Sequence, residues 1–136
     1  MKSVMCVMAA VLLAVPAFAC EVPPNVRALA TKGVAFDFSK AGNRPEPVEI
    51  KSADELAKSA LFADDADRDE IKKQVNFEKE KLVVFVWSGS GQDKLDGALV
   101  KRGGTAQFTY TVGRTDDLRH HGHVFAVPKD AKVEVR

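Results

Sequence analysis

No run of residues in this chain is both long and apolar enough to span a bilayer. The apolar, uncharged run Val4 to Val15 falls short of the ~20 residues a membrane-crossing helix requires. Cysteine is almost absent. Of the two present, Cys6 lies inside that stretch and Cys20 just beyond it. Charge of one sign is missing too. Twenty Lys and Arg against 19 Asp and Glu give no basic excess for a nucleic-acid backbone or an anionic lipid surface. Nucleic acid is therefore excluded as a partner on composition. Familiar active-site signatures are absent as well. A nucleophile elbow needs Gly two places either side of its Ser. Around Ser88 those places hold Val86 and Ser90, and around Ser90 they hold Ser88 and Gln92. No Gly-Lys-Ser/Thr follows the glycines at 89 and 91, so a phosphate loop is excluded, and no motif implies a cofactor.

What is present begins with an export signal. Lys2 supplies a short positive start, the apolar run follows, Pro16 breaks it, and Ala17-Phe18-Ala19 is a small-x-small cleavage pattern. Residues 1–19 are expected to be a signal peptide, which places the protein in the periplasm or outside the cell. Removal of those 19 residues from 136 leaves 117, with 19 charges of each sign once Lys2 is gone. That length suits one domain, burying about two-thirds of the surface of its unfolded chain. Cys20 becomes the first mature residue, so no intrachain disulfide can form. It also offers a lipid-attachment point that would tether the protein to a membrane. A lipobox wants an aliphatic residue three places earlier, where this chain has Ala17 followed by Phe18; the alternative is a free or intermolecularly paired thiol.

Residues 20–32, with Pro23-Pro24, read as an extended tether, and 33–136 as a single compact domain. Val34, Phe36 and Phe38 alternate with polar or small residues as on a half-buried strand. A short strand is expected at Val48 to Lys51. Ser52-Ala53-Asp54-Glu55 is a capping box, predicting a helix from Ala53 to Phe62 with Leu56, Ala57, Ala60 and Leu61 inward. Asp64 and Asp65 suit the start of a second helix carrying Ile71 and Val75. The cluster Asp64, Asp65, Asp67, Asp69 and Glu70 lacks the glycine and late bidentate Glu of a calcium loop, so it reads as a solvated helix face.

After Phe77 the pattern changes to strands. Leu82 to Trp87 is apolar at every position, the mark of a central strand covered on both faces. Gly103-Gly104 predicts a two-residue hairpin setting Leu99 opposite Phe108, Gly97 opposite Tyr110 and Leu95 opposite Val112. His123 to Val127 and Lys132 to Val135 close the sheet around the turn Pro128-Lys129-Asp130. The fold class is α+β: two short helices, then an antiparallel sheet of about five or six strands, sandwich- or barrel-like.

This order of elements resembles exported bacterial domains of unknown function. It is also similar, over about Val48 to Val135, to the C-terminal domain of the PrcB protease-complex-subunit family. The likeness is carried by Val75-Asn76-Phe77-Glu78-Lys79-Glu80 leading into the core strand and by the turn after Trp87. That family has a Gly-Gly-Tyr element in the turn, where this chain has Ser90-Gly91-Gln92. The resemblance implies a fold and carries no functional residue.

Two segments could carry chemistry. Loop 88–93 leaves the central strand with Ser88, Ser90, Gln92 and Asp93, and its backbone N–H groups could form an anion-binding nest. Loop 113–123 holds Arg114, Asp117, Arg119 and all three histidines, His120, His121 and His123. Two hairpin strands lie between the segments, so both are expected at one end of the sheet. Loops of mixed polarity at a sheet end fit recognition of a protein or peptide partner, giving a non-catalytic binding or structural module. Two alternatives stay open. His121 and His123, two apart on a strand, could be paired metal ligands. Ser88 or Ser90 with a His and with Asp93 or Asp117 could make a small hydrolase.

Overall fold

The computed structural model describes residues 26–100 and 104–136. Residues 1–25, which hold the expected signal peptide, Cys20 and the first part of the expected tether, lie outside the described residues, as does Gly103. The architecture is α+β in three layers: two short helices, a four-stranded sheet and a three-stranded sheet. Chain order is β1 (Arg27–Ala28), β2 (Val48–Ile50), α1 (Ala53–Lys58), α2 (Asp65–Lys72), β3 (Glu80–Ser90), β4 (Lys94–Val100), β5 (Thr105–Thr111), β6 (Leu118–Pro128) and β7 (Lys132–Val135). The larger sheet runs β1-β6-β3-β2 and the smaller β4-β5-β7, where only β5 and β7 are parallel. No helix among the described residues is long and apolar enough to cross a membrane.

The two-sided apolar run dictates the layering. Successive β3 side chains point to opposite faces. Leu82 and Val84 join Leu56, Phe62 and Ile71 under the helices, while Val83, Phe85 and Trp87 meet Leu95, Ala106 and Phe108 of the smaller sheet. These five β3 residues are buried, each worth roughly 1.5–3 kcal/mol when a large side chain is fully covered.

The capping box forms, with one change. Ser52 Oγ accepts from the Glu55 N–H at 3.2 Å, but the Glu55 carboxylate reaches the Lys51 N–H at 2.8 Å rather than that of Ser52. The helix then stops at Lys58, four residues short of expectation, and Ala57 and Ala60 are exposed. Tertiary contacts override propensity there. The chain at 61–63 leaves the helix to pair with 35–37, through Asp37 N–H to Leu61 C=O and Ala63 N–H to Ala35 C=O. Arg68 of α2 holds the junction by donating to the carbonyls of Ser59 and Phe62.

That pairing corrects two further expectations. Val34 to Phe38 is not a strand; only Phe36 bridges, to Phe62, and the ring of Phe36 lies over Gly122 of β6. The segment read as tether contributes β1, and Leu29 is buried in the helix-side core. Asp67 leaves the solvated face to accept the Ala35 N–H at 3.0 Å.

The β4–β5 hairpin forms two residues out of the expected register. Leu95 pairs with Tyr110, Gly97 with Phe108 and Leu99 with Ala106, the ladder closing at Val100 and Thr105. The turn is thus longer than two residues. Gly104 is not in the left-handed region; among the described glycines only Gly33 has positive φ.

Candidate functional site

The end of the molecule where β3 stops and β6 begins gathers most of the polar residues singled out above. It is built differently from two open loops. β3 continues as strand through Ser90, where the sequence suggested a loop from Ser88, and β6 starts at Leu118, so all three histidines sit on a strand. The two strands pair from Ser90–Leu118 inward, through Gly89–Arg119, Ser88–His120 and Trp87–His121. The segments at 88–93 and 113–123 do therefore meet at one end.

Between β3 and β4 remains a tight turn, Ser90 to Asp93, closed by the Asp93 N–H on the Ser90 carbonyl at 3.0 Å. No anion nest is left in it. The Gly91 N–H goes to Asp117 Oδ1 at 3.2 Å and the Gln92 N–H to Ser90 Oγ at 3.3 Å. Ser90 Oγ also accepts from the Thr115 N–H and hydrogen-bonds Thr115 Oγ1 at 2.6 Å. The glycines permit this closeness: a Cβ on Gly91 would strike Asp117, and one on Gly113 would strike Ser90 and the Gln92 backbone.

Asp93 is the centre of the turn's underside. Its carboxylate accepts from the Trp87 indole at 3.1 Å, the Tyr110 hydroxyl at 2.9 Å and the Gly113 N–H at 2.7 Å. Burial alone would push this carboxyl up, but the three donors outweigh it and hold the group below its ordinary value. Tyr110 is pushed the other way, by burial and by the carboxylate it donates to. Asp117 is held at about 2 by hydrogen bonds from Thr115, Arg119 and Gly91. Asp93, Ser90 and Asp117 are thus satisfied internally.

The histidines divide by face. His121 and His123 lie between the sheets, stacked on Trp87 at 4.7 and 5.3 Å between ring centres. His121 Nε2 is 2.8 Å from the Ser90 carbonyl, and a carbonyl only accepts, so that nitrogen carries the hydrogen. Among the described residues no three His, Cys, Asp or Glu side chains converge as a metal site needs. Burial, aided by the charge of His121, lowers the His123 imidazole below its ordinary 6.5. The native state thus keeps His123 neutral where the unfolded chain takes up a proton. Stability should fall as pH drops through 6.5, and a histidine NMR titration should give His123 a midpoint below that value. A midpoint at or above 6.5 would mean that burial does not control its protonation.

His120 points the other way, stacked on Phe38 at 4.6 Å, with Nδ1 2.7 Å from Ser88 Oγ. This is a serine–histidine pair, yet the sheet separates it from Asp93, which lies on the Trp87 face. Asp117 is engaged with Arg119 and Gly91. Among the described residues no carboxylate orients the imidazole as a triad requires.

Facing outward at this end are Gln92, Arg114, Asp116 and two apolar residues, Val112 and Leu118. The sequence reading gave no functional role to Tyr110, Val112 or Leu118. Leu118 had a signal, being a lone large apolar residue inside the charged stretch 114–119. No family model matches this chain, and no curated protein or solved structure matches it.

Proposed function

We propose that this is an exported, non-catalytic binding module that engages a protein or peptide partner with the β3–β6 end of the molecule. In that reading it belongs with the exported domains its element order resembles. The carrying observation is an exposed group, Val112, Gln92, Arg114 and Asp116, standing on a base whose own polar atoms are internally bonded. Val112 is 62% exposed, and an apolar residue beside a guanidinium and an amide suits a recognition surface. The pre-formed base spares a partner the cost of ordering it.

Several of the residues first considered for contact, Asp117 among them, belong to that base. Ser90 and Asp93 hold the turn, and His121 fills the space beside Trp87, so His121→Ala should destabilise. A surface variant is the cleaner test. Val112→Ser with Arg114→Ala should leave the melting temperature nearly unchanged, within about 0.5 kcal/mol of stability. As bait in an envelope fraction, the variant should lose a protein that the wild type retains. Identical captures by the two baits would refute this surface as the binding site.

A further inference from the structure

We infer that the break in the sheet edge between Gly42 and Val48 binds a free α-amino acid with a small aliphatic side chain. The inference does not depend on the partner proposed above, whose surface uses other residues. It starts from an unpaired backbone group. Ser88 donates its N–H to the Gly42 carbonyl at 2.9 Å, so its backbone turns away from β6. Backbone groups along an antiparallel strand alternate in direction, and Val84 and Val86 turn the same way as Ser88. Val84 stands opposite Val48, the first residue of β2. Gly42 bridges to Trp87 on the far side of the break. Between the two, the Val86 N–H has no acceptor among the described residues.

The sequence explains the break. Carrying β2 one step further back would set Glu46 opposite Val86, but Pro45 and Pro47 flank it. Prolines have a fixed φ and no N–H to give a ladder. The chain leaves the sheet there, with Pro45 buried.

The space left is a cavity of about 100 Å³. Its floor is apolar: Leu61 and Val86 pack against the helix-side core, and Val48 is 41% exposed. Its rim carries both signs of charge, Lys40 and Arg44 with Asp37 and Glu46, all exposed. None of these four forms an ion pair among the described residues. Such a site selects a zwitterion. A carboxylate accepts from the Val86 N–H and from Arg44 or Lys40, and charge-assisted bonds of that kind are the strong ones. The ammonium on the adjoining carbon finds Asp37 and Glu46. Hydrogen bonds from Ser39, with Lys40 nearby, hold the Asp37 carboxyl below its ordinary value, so it stays charged. A short hydrocarbon side chain covers the floor. The volume equals that of about three waters, which suits the side chain of alanine or valine and excludes an aromatic ring.

Titrating the isotope-labelled protein with L-valine should move the Val86 amide cross-peak to saturation. N-acetyl-L-valine lacks the ammonium and L-valinamide the carboxylate. Each should bind about tenfold more weakly, the loss expected for one charged hydrogen-bond partner. Lys40→Ala with Arg44→Ala should weaken L-valine by at least that factor with unchanged melting. Asp37→Asn with Glu46→Gln should weaken L-valine and leave N-acetyl-L-valine as it was. A Val86 cross-peak unmoved by L-valine and by L-alanine would overturn the inference. So would equal binding of N-acetyl-L-valine, which would make the site a receptor for any small carboxylate, or a cation-free variant that binds L-valine like the wild type.

Discussion

Asp93→Ala should lower the stability of this protein by about 3 kcal/mol, read as a shift in the urea midpoint with an unchanged slope. The carboxylate accepts from Trp87, Tyr110 and Gly113, drawn from β3, β5 and the segment before β6. Removing it strands three donors at once. Trp87 has no exposed surface, so its indole N–H finds no water in exchange, and each such orphan costs roughly 1–3 kcal/mol. Tyr110 and Gly113 are half-buried and recover part of their loss from solvent. Asp93→Asn should cost less, because its carbonyl still serves the oxygen position shared by Trp87 and Tyr110. An unchanged midpoint for Asp93→Ala would mean that the network contributes nothing and that the turn is held by its backbone bonds alone.

The same carboxylate sets an acid limit. Its native value lies below the ordinary 3.8 of a free carboxyl. The stabilisation is therefore complete above 3.8 and is lost as pH falls through the lower native value. Wild type and Asp93→Asn should differ most near neutrality and converge in strong acid.

Asp93 also shows what the sequence could convey. Its place after a buried strand, in a segment with two glycines, marked a special turn. Its role was misread, because a glycine-rich stretch of Ser, Gln and Asp suits an open loop as well as a strand that turns sharply. What decides between them is close approach. A Cβ at Gly89 would collide with Asp93, one at Gly91 with Asp117, and one at Gly122 with the ring of Phe36. Those neighbours are remote in sequence, so no local pattern announces them. The α+β class, the capping box and the central strand were legible because each rests on spacing within one segment. That residues 118–123 of β6 have no described strand on the β1 side was not, because it depends on how short β1 is.

The hairpin register follows the same logic and supports the last expectation. Pairing Leu99 with Phe108 or with Ala106 keeps every side chain on the same face, since the two registers differ by two residues. Alternation cannot choose between them; volume does. With Gly97 opposite Phe108, the ring fills the space a side chain would otherwise occupy. That ring is fully buried and packs on Phe85 at 4.8 Å and Phe125 at 4.9 Å. A Cβ at position 97 would stand 2.8 Å from both Phe108 Cε1 and Val26 Cγ1. Hemmed between two aromatic neighbours, Phe108 has no free direction in which to yield. Gly97→Val should thus cost roughly 3 kcal/mol, at the upper end of overpacking. Gly104→Val makes the contrast. A Cβ there meets nothing within 4 Å, and its φ lies outside the left-handed region. That substitution should fall within about 0.5 kcal/mol of wild type, although a two-residue turn at Gly103-Gly104 would make it the more damaging. Thermal melts of the two variants decide the register. Greater loss at 104 than at 97 would restore the shorter turn and move Tyr110 over Gly97.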